Sequence, residues 1–182
     1  MKNDRIQGLA LIFVGLILIA LYGIRSYSTR SLSFNAYEIP PKLTETVPEK
    51  IYAKPVSIKI SSLNINLTVE ESQIIDGVWQ VSEKNVSHLN SSANPGEGGN
   101  VVIYGHNKKV IFGPIRQIKK DAEVIVATED EKLWKYKVAA TFEVTPDEVS
   151  PVLPKNEETL TLYTCTGFAD SRRFIIVANP EW

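Results

Sequence analysis

With 20 Lys and Arg against 21 Asp and Glu in 182 residues, a net charge of −1 and 43% hydrophobic residues, the chain has neither the basic excess of a nucleic-acid binder nor the polar bias of a disordered protein. Its one cysteine excludes a disulfide within the chain. Setting the N-terminus aside leaves roughly 130 residues, which can bury about two thirds of the surface their unfolded chain exposes, so one domain with a disulfide-free core is expected.

The chain opens on MKNDRIQGLALIFVGLILIALYGIRSYSTR, uncharged from Gly8 to Ile24 and flanked by Lys2 and Arg5 before and by Arg25 and Arg30 after. A helix from Ile6 to Ile24, at about 1.5 Å per residue, just reaches across a bilayer core of about 30 Å. The run is long for the apolar part of a cleaved signal peptide, and no small-residue cleavage site follows, so an uncleaved anchor is expected. The basic flanks are nearly balanced and give the positive-inside rule little contrast. The N-terminal position of the anchor favours an exported body. Residues 1–25 are thus expected to form a cytoplasmic tip and transmembrane anchor. Residues 26–50, rich in Ser, Thr, Pro and Glu and including the core-poor IPPKLTETVPEK, should form an extracellular stalk. The folded domain is expected over 51–182.

The body reads as strands. KPVSIKISSLNINLTV alternates first through Val56, Ile58 and Ile60 and then through Leu63, Ile65, Leu67 and Val69, the phase switching at Ser61-Ser62. Two strands or one bulged strand fit that break. SEKNVSHL offers a turn or so of helix, leaving His88 in less regular chain. NVVIY, Asn100 to Tyr104, is a short apolar run bounded by glycines, as in a buried strand. FGPIRQIKKDAE places Phe112, Ile115 and Ile118 at helical spacing for a short connector. AEVIVAT follows, and LWKYKVAATFEV alternates through Trp134, Tyr136, Val138, Ala140, Phe142 and Val144. TPDEVSPVLPKNEE, Thr145 to Glu158, is a long irregular loop of the kind that is often functional. TLTLYT and RFIIVA complete an all-β set, a barrel or a sandwich.

The chemistry-bearing residues stand at strand ends. Cys165 ends TLTLYTC, whose alternation puts Leu160, Leu162 and Thr164 on one face and the thiol on the other. A buried cysteine is the ordinary reading of such a residue. Against it stand the unpaired thiol of an exported domain and its place where a strand gives way to the turn TGFADS. With a reference pKa of about 8.5 a thiol needs a base or cation nearby to act as a nucleophile. His106 ends the NVVIYGH run at another strand-to-loop junction and supplies an imidazole if both ends meet at one rim. A thiolate attacking an amide builds an oxyanion, for which a fixed guanidinium is a strong donor. Arg173 and Arg172 open the strand after TGFADS and project to opposite faces; periodicity does not decide which faces the thiol.

These residues resemble the sortase family, membrane-anchored cysteine transpeptidases of bacterial surfaces. The signature T-L-x-T-C stands here as Thr161-Leu162-Tyr163-Thr164-Cys165, the family's arginine at the head of the last strand fits Arg173, and NPGEGGNVVIYGHN resembles the block ending in its Gly-His, at His106. GVWQVSEKNVSHL and FGPIRQIKKDAEVIV are similar too, so the likeness runs from about Ile51 to the C-terminus. It implies an all-β fold, an eight-stranded barrel with short connecting helices behind one transmembrane helix. It implies cleavage of an LPXTG-like sorting signal between Thr and Gly through a thioester and transfer to a cell-surface amine such as a peptidoglycan precursor. Cys165 would attack, His106 act as general acid and base, and Arg173 support the oxyanion. Val149, Val152 and Leu153 of the long loop, with Thr164 of the signature, would contact the signal. No cofactor is expected; some members bind calcium through acidic loop residues, here Asp147, Glu148, Glu157 and Glu158, though a solvated acidic loop is the expected reading. The implied partners are surface proteins with a sorting signal, the amine acceptor and the membrane, with no nucleic acid.

Two features depart from parts of the family. TGFADS is short, and the stalk lacks the Asp-Pro-aromatic triplet that marks the lid of pilus-building members, so an anchoring or specialised role is expected over pilus polymerisation. The rival from another class is a tethered β-barrel that binds peptide or glycan without catalysis. An L,D-transpeptidase would carry His and Gly just before the cysteine, where Tyr163 and Thr164 stand, and a papain-like enzyme has the reverse order of nucleophile and histidine. His88, His106 and Cys165 lack the tight spacing of a metal site.

Overall fold

The phase switch at Ser61-Ser62 is a corner between two strands. In the computed structural model, which describes residues 11–22, 32–34 and 51–181, β1 (Pro55–Ile60) ends in a 3-10 turn over Ser61–Leu63. Asn64, in the left-handed region that asparagine tolerates, then starts β2 (Ile65–Ser72) antiparallel to β1. A two-stranded hairpin of β3 (Ile74–Ile75) and β4 (Val78–Trp79) follows, then β5 (Val86–Leu89), β6 (Asn100–Tyr104), β7 (Glu123–Thr128), β8 (Leu133–Val144), β9 (Thr159–Thr166) and β10 (Arg172–Pro180).

Eight of these strands close a barrel in the order β1-β2-β5-β6-β9-β10-β8-β7. Neighbours are antiparallel except β2 with β5 and β6 with β9. The expected eight-stranded all-β barrel is therefore the observed architecture. Its connecting helices are 3-10 turns, and FGPIRQIKKDAE is helical only over Gly113–Gln117, where Ile115 is buried. SEKNVSHL corrects the expectation of a helical turn: Val86–Leu89 is a strand whose four residues are all buried. Ser87 and His88 fit inside because their polar atoms are bonded there, Ser87 Oγ accepting from Ser82 N–H at 2.9 Å and His88 Nδ1 lying 2.6 Å from Glu71 Oε1.

The alternation on β6, β9 and β10 sorts residues into two apolar clusters. Val101, Ile103, Leu160, Leu162, Ile176 and Ala178 point into the barrel. Val102, Tyr104, Tyr163, Cys165 and Ile175 lie on the other face, where a second cluster covers them. On β8 the expected alternation breaks. Ala140 pairs with Val177 but Val138 pairs with Ala178, so Ala139 bulges and the phase is lost. Tyr136 and Val138 are fully buried, whereas Phe142 is 40% exposed.

Residues 11–22 form a helix inside the apolar run expected as the anchor, and the rest of that run lies outside the described residues. Among the described residues no helix is long and apolar enough to cross a membrane.

The bulge makes a measurable claim. Leu162→Ala should cost about 2–5 kcal/mol as a buried large-to-small change, while Phe142→Ala, beyond the bulge, should cost less than about 1 kcal/mol. Urea denaturation of the two variants checks this; equal losses would mean that the β8 alternation runs on unbroken.

Candidate active site

β9 lies between β6, parallel, and β10, antiparallel, and this arrangement brings Cys165, Arg173 and the loop carrying His106 to one end of three neighbouring strands. Arg173 stands directly opposite Cys165 in the β9–β10 ladder, so both project to one face. On the other side Tyr104 pairs with Tyr163, the Gly105 N–H donates to the Tyr163 carbonyl at 3.2 Å, and the Thr164 hydroxyl donates to the Gly105 carbonyl at 2.8 Å. His106 therefore comes two residues after the Tyr104–Tyr163 rung, as Cys165 does, just past the end of β6, whose neighbour β9 lies about 4.8 Å away. Gly105 has no room for a side chain: a Cβ there would lie 3.0 Å from both Ile111 Cγ2 and Val86 Cγ1.

Cys165 is 3% exposed. It lies on the outer face of the barrel, as its alternation predicts, but beneath the second cluster rather than in solvent. Burial pushes its thiol up to about 11; Arg173 pulls the other way and Asp170 adds to the rise. His106 is partly open, its side chain 22% exposed. Burial holds its imidazole below the usual value, helped by the nearby Lys108 ammonium and opposed by the charges of Glu83 and Asp170. Glu83 Oε1 lies 3.4 Å from His106 Nε2, within ion-pair range, but leaves that nitrogen without a hydrogen bond among the described residues. The other Glu83 oxygen binds Lys108 Nζ at 2.8 Å. The histidine carbonyl accepts from the Lys108 and Phe112 N–H groups at 2.7 and 3.1 Å, which fixes the loop that carries it.

The two arginines separate by strand phase. Arg173 is 2% exposed, and its Nη1 donates to the Asp170 and Arg172 carbonyls at 2.9 and 3.2 Å. Its Nη2 donates to the Ser33 carbonyl at 2.7 Å. Arg172 is exposed and paired with Glu143, Nε to Oε2 at 3.1 Å.

Beside these groups runs an aromatic floor. The Tyr104 and Tyr163 rings stack at 5.1 Å, and Trp79 meets both edge-on at 5.4 and 5.9 Å. One wall is the 3-10 turn Ser150–Val152 of the long β8–β9 loop. Val152 is buried in the cluster, and Val149 and Leu153 pack against it half-buried. The buried Asn100 holds this turn: its side-chain amide donates to the Pro151 and Leu153 carbonyls, each at 2.9 Å, and accepts from Thr161 Oγ1 at 2.7 Å. Of the loop residues expected in the site, Val152 belongs to the outer cluster that holds Cys165, and Val149 and Leu153 pack against it. Thr164 lies on the barrel-interior face with its hydroxyl bound to Gly105.

The acidic residues considered for calcium do not converge. Glu158 accepts from the Gly96 and Gly98 N–H groups and the Tyr136 hydroxyl, and Glu148 accepts from Ser150 Oγ. Among the described residues no group of three or more His, Cys, Asp or Glu is placed to hold a metal. His88, in particular, is turned to Glu71 and the Ala93 carbonyl, away from any set with Cys165. Trp79, Tyr104, Glu83 and Asn100 are the site residues that sequence reasoning missed. One signal was present for Tyr104: NVVIY is apolar in both phases, which requires cover on both faces.

Comparisons with known proteins bear on the family and the fold. A family model described as the sortase domain matches residues 58–181. The chain is similar to sortase A of Listeria monocytogenes serovar 1/2a, 32% identical over 87 residues, which cover 46% of this chain but only 39% of that relative's length. Among solved structures it is similar to the Clostridium perfringens sortase D5 transpeptidase, with a TM-score of 0.61 and 24% identity over 73% of this chain and 83% of that one. It is also similar to Clostridium perfringens sortase C solved with the C-terminal cell wall sorting motif, with a TM-score of 0.59 and 23% identity over 72% and 74% of the two chains.

The buried thiol predicts its own reactivity. Held up to about 11, Cys165 should carry about one thiolate in 10⁴ molecules at pH 7, and its alkylation by iodoacetamide should rise about tenfold per pH unit from 6 to 10. A rate that levels off by pH 8 would show that the thiol is not held up in this state.

Proposed function

The chain belongs to the sortase family of cysteine transpeptidases, and on that premise we propose that it cleaves an LPXTG-like sorting signal between Thr and Gly and joins the freed acyl group to a cell-surface amine. The observation that carries the reading is the meeting of Cys165, Arg173 and His106 at one end of β9 and its two neighbours. In the first half-reaction the Cys165 proton passes to His106, and the thiolate sulfur attacks the threonyl carbonyl carbon. Arg173 holds the oxyanion, as its position on a peptide carbonyl supports. The C–N bond then breaks, the glycyl amine takes the proton from His106, and a thioester to Cys165 remains. An incoming amine gives its proton to His106 as it attacks the thioester, and the thiolate leaves. Transfer rather than hydrolysis requires that the groove favour the amine over water; a cell-wall precursor amine is the proposed acceptor.

Val149, Val152 and Leu153 form the apolar wall for the leucine and proline of the signal, and Thr164 acts by pinning Gly105, hence His106, to β9. We also propose that the N-terminal run anchors the chain as a single membrane span, with the N-terminus cytoplasmic and the catalytic domain outside. Leu11, Ile12, Phe13, Leu18 and Ile19 are each at least 60% exposed in the helix 11–22. A helix apolar all round and uncovered by protein suits lipid.

Cleavage of a small library of sorting-signal peptides, each with a choice of amines, tests this. Cys165→Ala should reduce cleavage to background, and His106→Ala should lower it by about 10²–10⁴. Arg173→Ala should lower it by about 10²–10³, but Arg172→Ala by no more than about fivefold, since exposed ion pairs such as that with Glu143 are worth about 1 kcal/mol or less. Equal losses at the two arginines would overturn the assignment.

A further inference from the structure

Leu32, Ser33 and Phe34 lie in the stretch expected to be stalk, yet Leu32 and Phe34 are each 1% exposed, as buried as the barrel core. Both belong to the outer cluster that contains Cys165. The Phe34 ring stands edge-on to Tyr163 at 5.2 Å and tilts against Trp79 at 5.6 Å. The segment is gripped through its polar atoms as a bound peptide is. Arg173 donates to the Ser33 carbonyl at 2.7 Å, the Tyr163 hydroxyl to the Leu32 carbonyl at 3.3 Å, and the Trp79 backbone N–H to Ser33 Oγ at 3.0 Å.

We propose that Leu32–Phe34 is an intramolecular strap that occupies the peptide groove and caps the thiol, so that a substrate peptide binds by displacing it. The inference rests on reading this groove as the sorting-signal site. Its physical basis is competition for one donor. Arg173, whose Nη2 holds the Ser33 carbonyl, stands opposite Cys165 in the ladder; a substrate carbonyl that becomes an oxyanion on Cys165 needs that same donor, and the two oxygens cannot share its place. The apolar side chains add to the exclusion: Leu32 and Phe34 fill space over the tyrosines where the apolar residues of a substrate would pack. The strap differs from an Asp-Pro-aromatic lid, since a backbone carbonyl and two apolar side chains make the contacts.

Tethering makes such a strap effective with few contacts. A segment joined to the domain by residues 35–50 faces its groove at an effective concentration of about millimolar. A substrate therefore competes best where it is itself concentrated. A strap closed about nine-tenths of the time raises the apparent KM about tenfold. It also keeps the thiol protonated by shutting out water, which links opening of the groove to activation of the nucleophile.

The test measures two quantities on the full chain, the iodoacetamide alkylation rate of Cys165 at pH 8 and the KM for a sorting-signal peptide. In the double variant Leu32→Ala/Phe34→Ala the alkylation rate should rise and KM should fall, each about tenfold, with kcat little changed. A peptide of residues Arg30 to Tyr37, RSLSFNAY, should restore both values competitively, and the same peptide with Ala for Leu and Phe should not. Alkylation and KM both unchanged in the double variant would overturn the strap. If the double variant does not fold, Ser33→Ala, which removes the bond from Trp79, should shift both quantities in the same direction; no shift there also overturns it. Faster alkylation, suppressed by RSLSFNAY, in a chain that cleaves no sorting signal would keep the strap and discard the substrate reading. Cleavage with neither quantity altered would do the reverse.

Discussion

Everything at the site depends on one strand being buried on both faces. All eight residues of β9 are buried, so its two sets of alternate side chains need two separate apolar environments. Leu160 and Leu162 have the barrel interior. Tyr163 and Cys165 have a cover assembled from elsewhere: Trp79 from the β3–β4 hairpin, Leu89 from β5, Val152 from the β8–β9 loop, and the Leu32–Phe34 segment. The nucleophile is thus built into a core, and a substrate reaches it only where part of that cover gives way.

Burial also sets the electrostatics. A thiol and a guanidinium placed side by side out of water shift in ways that their neighbours decide. Arg173 donates to the carbonyls of Ser33, Asp170 and Arg172, and its positive charge favours the thiolate of Cys165 against the burial that disfavours it. Arg172, one residue away, spends its charge on Glu143. The turn between β9 and β10 provides the Asp170 carbonyl. It is compact because Gly167, Ala169 and Asp170 all take positive φ, a conformation costly for the latter two and found where surrounding bonds enforce it. The same turn brings the Asp170 charge near both Cys165 and His106, favouring the protonated form of each.

Most barrel strands could be read from the sequence because their alternation extends over five residues or more, and the face of Cys165 followed from the phase of Leu160 and Leu162. The strands that escaped are short or polar: β3 and β4 have two residues each, too few for a period, and β5 carries Ser87 and His88 at buried positions. Such polar residues look like loop until their partners are known, and Glu71 lies on another strand. The resemblance implies Arg173 rather than Arg172, and the ladder supplies the physical reason, since Arg173 is the residue opposite Cys165. Glu83 beside His106 and the strap over Arg173 left no pattern, because each contact joins segments far apart in sequence through one or two side chains.

The polar pins explain why this arrangement keeps its register. A one-residue slip of β9 would carry its leucines to the outer face and Cys165 into the barrel. Apolar packing alone resists that slip weakly here, since both faces accept large apolar groups. Hydrogen bonds discriminate where packing does not: Thr164 to the Gly105 carbonyl and Thr161 to the Asn100 side chain each fix β9 against β6, and Asn100 in turn holds the Ser150–Val152 turn. These bonds are buried, so leaving their donors and acceptors unpaired would cost more than making them gains. The register that closes the barrel and the register that sets Cys165 opposite Arg173 are therefore one constraint, enforced by threonines and an asparagine that touch none of the reacting atoms.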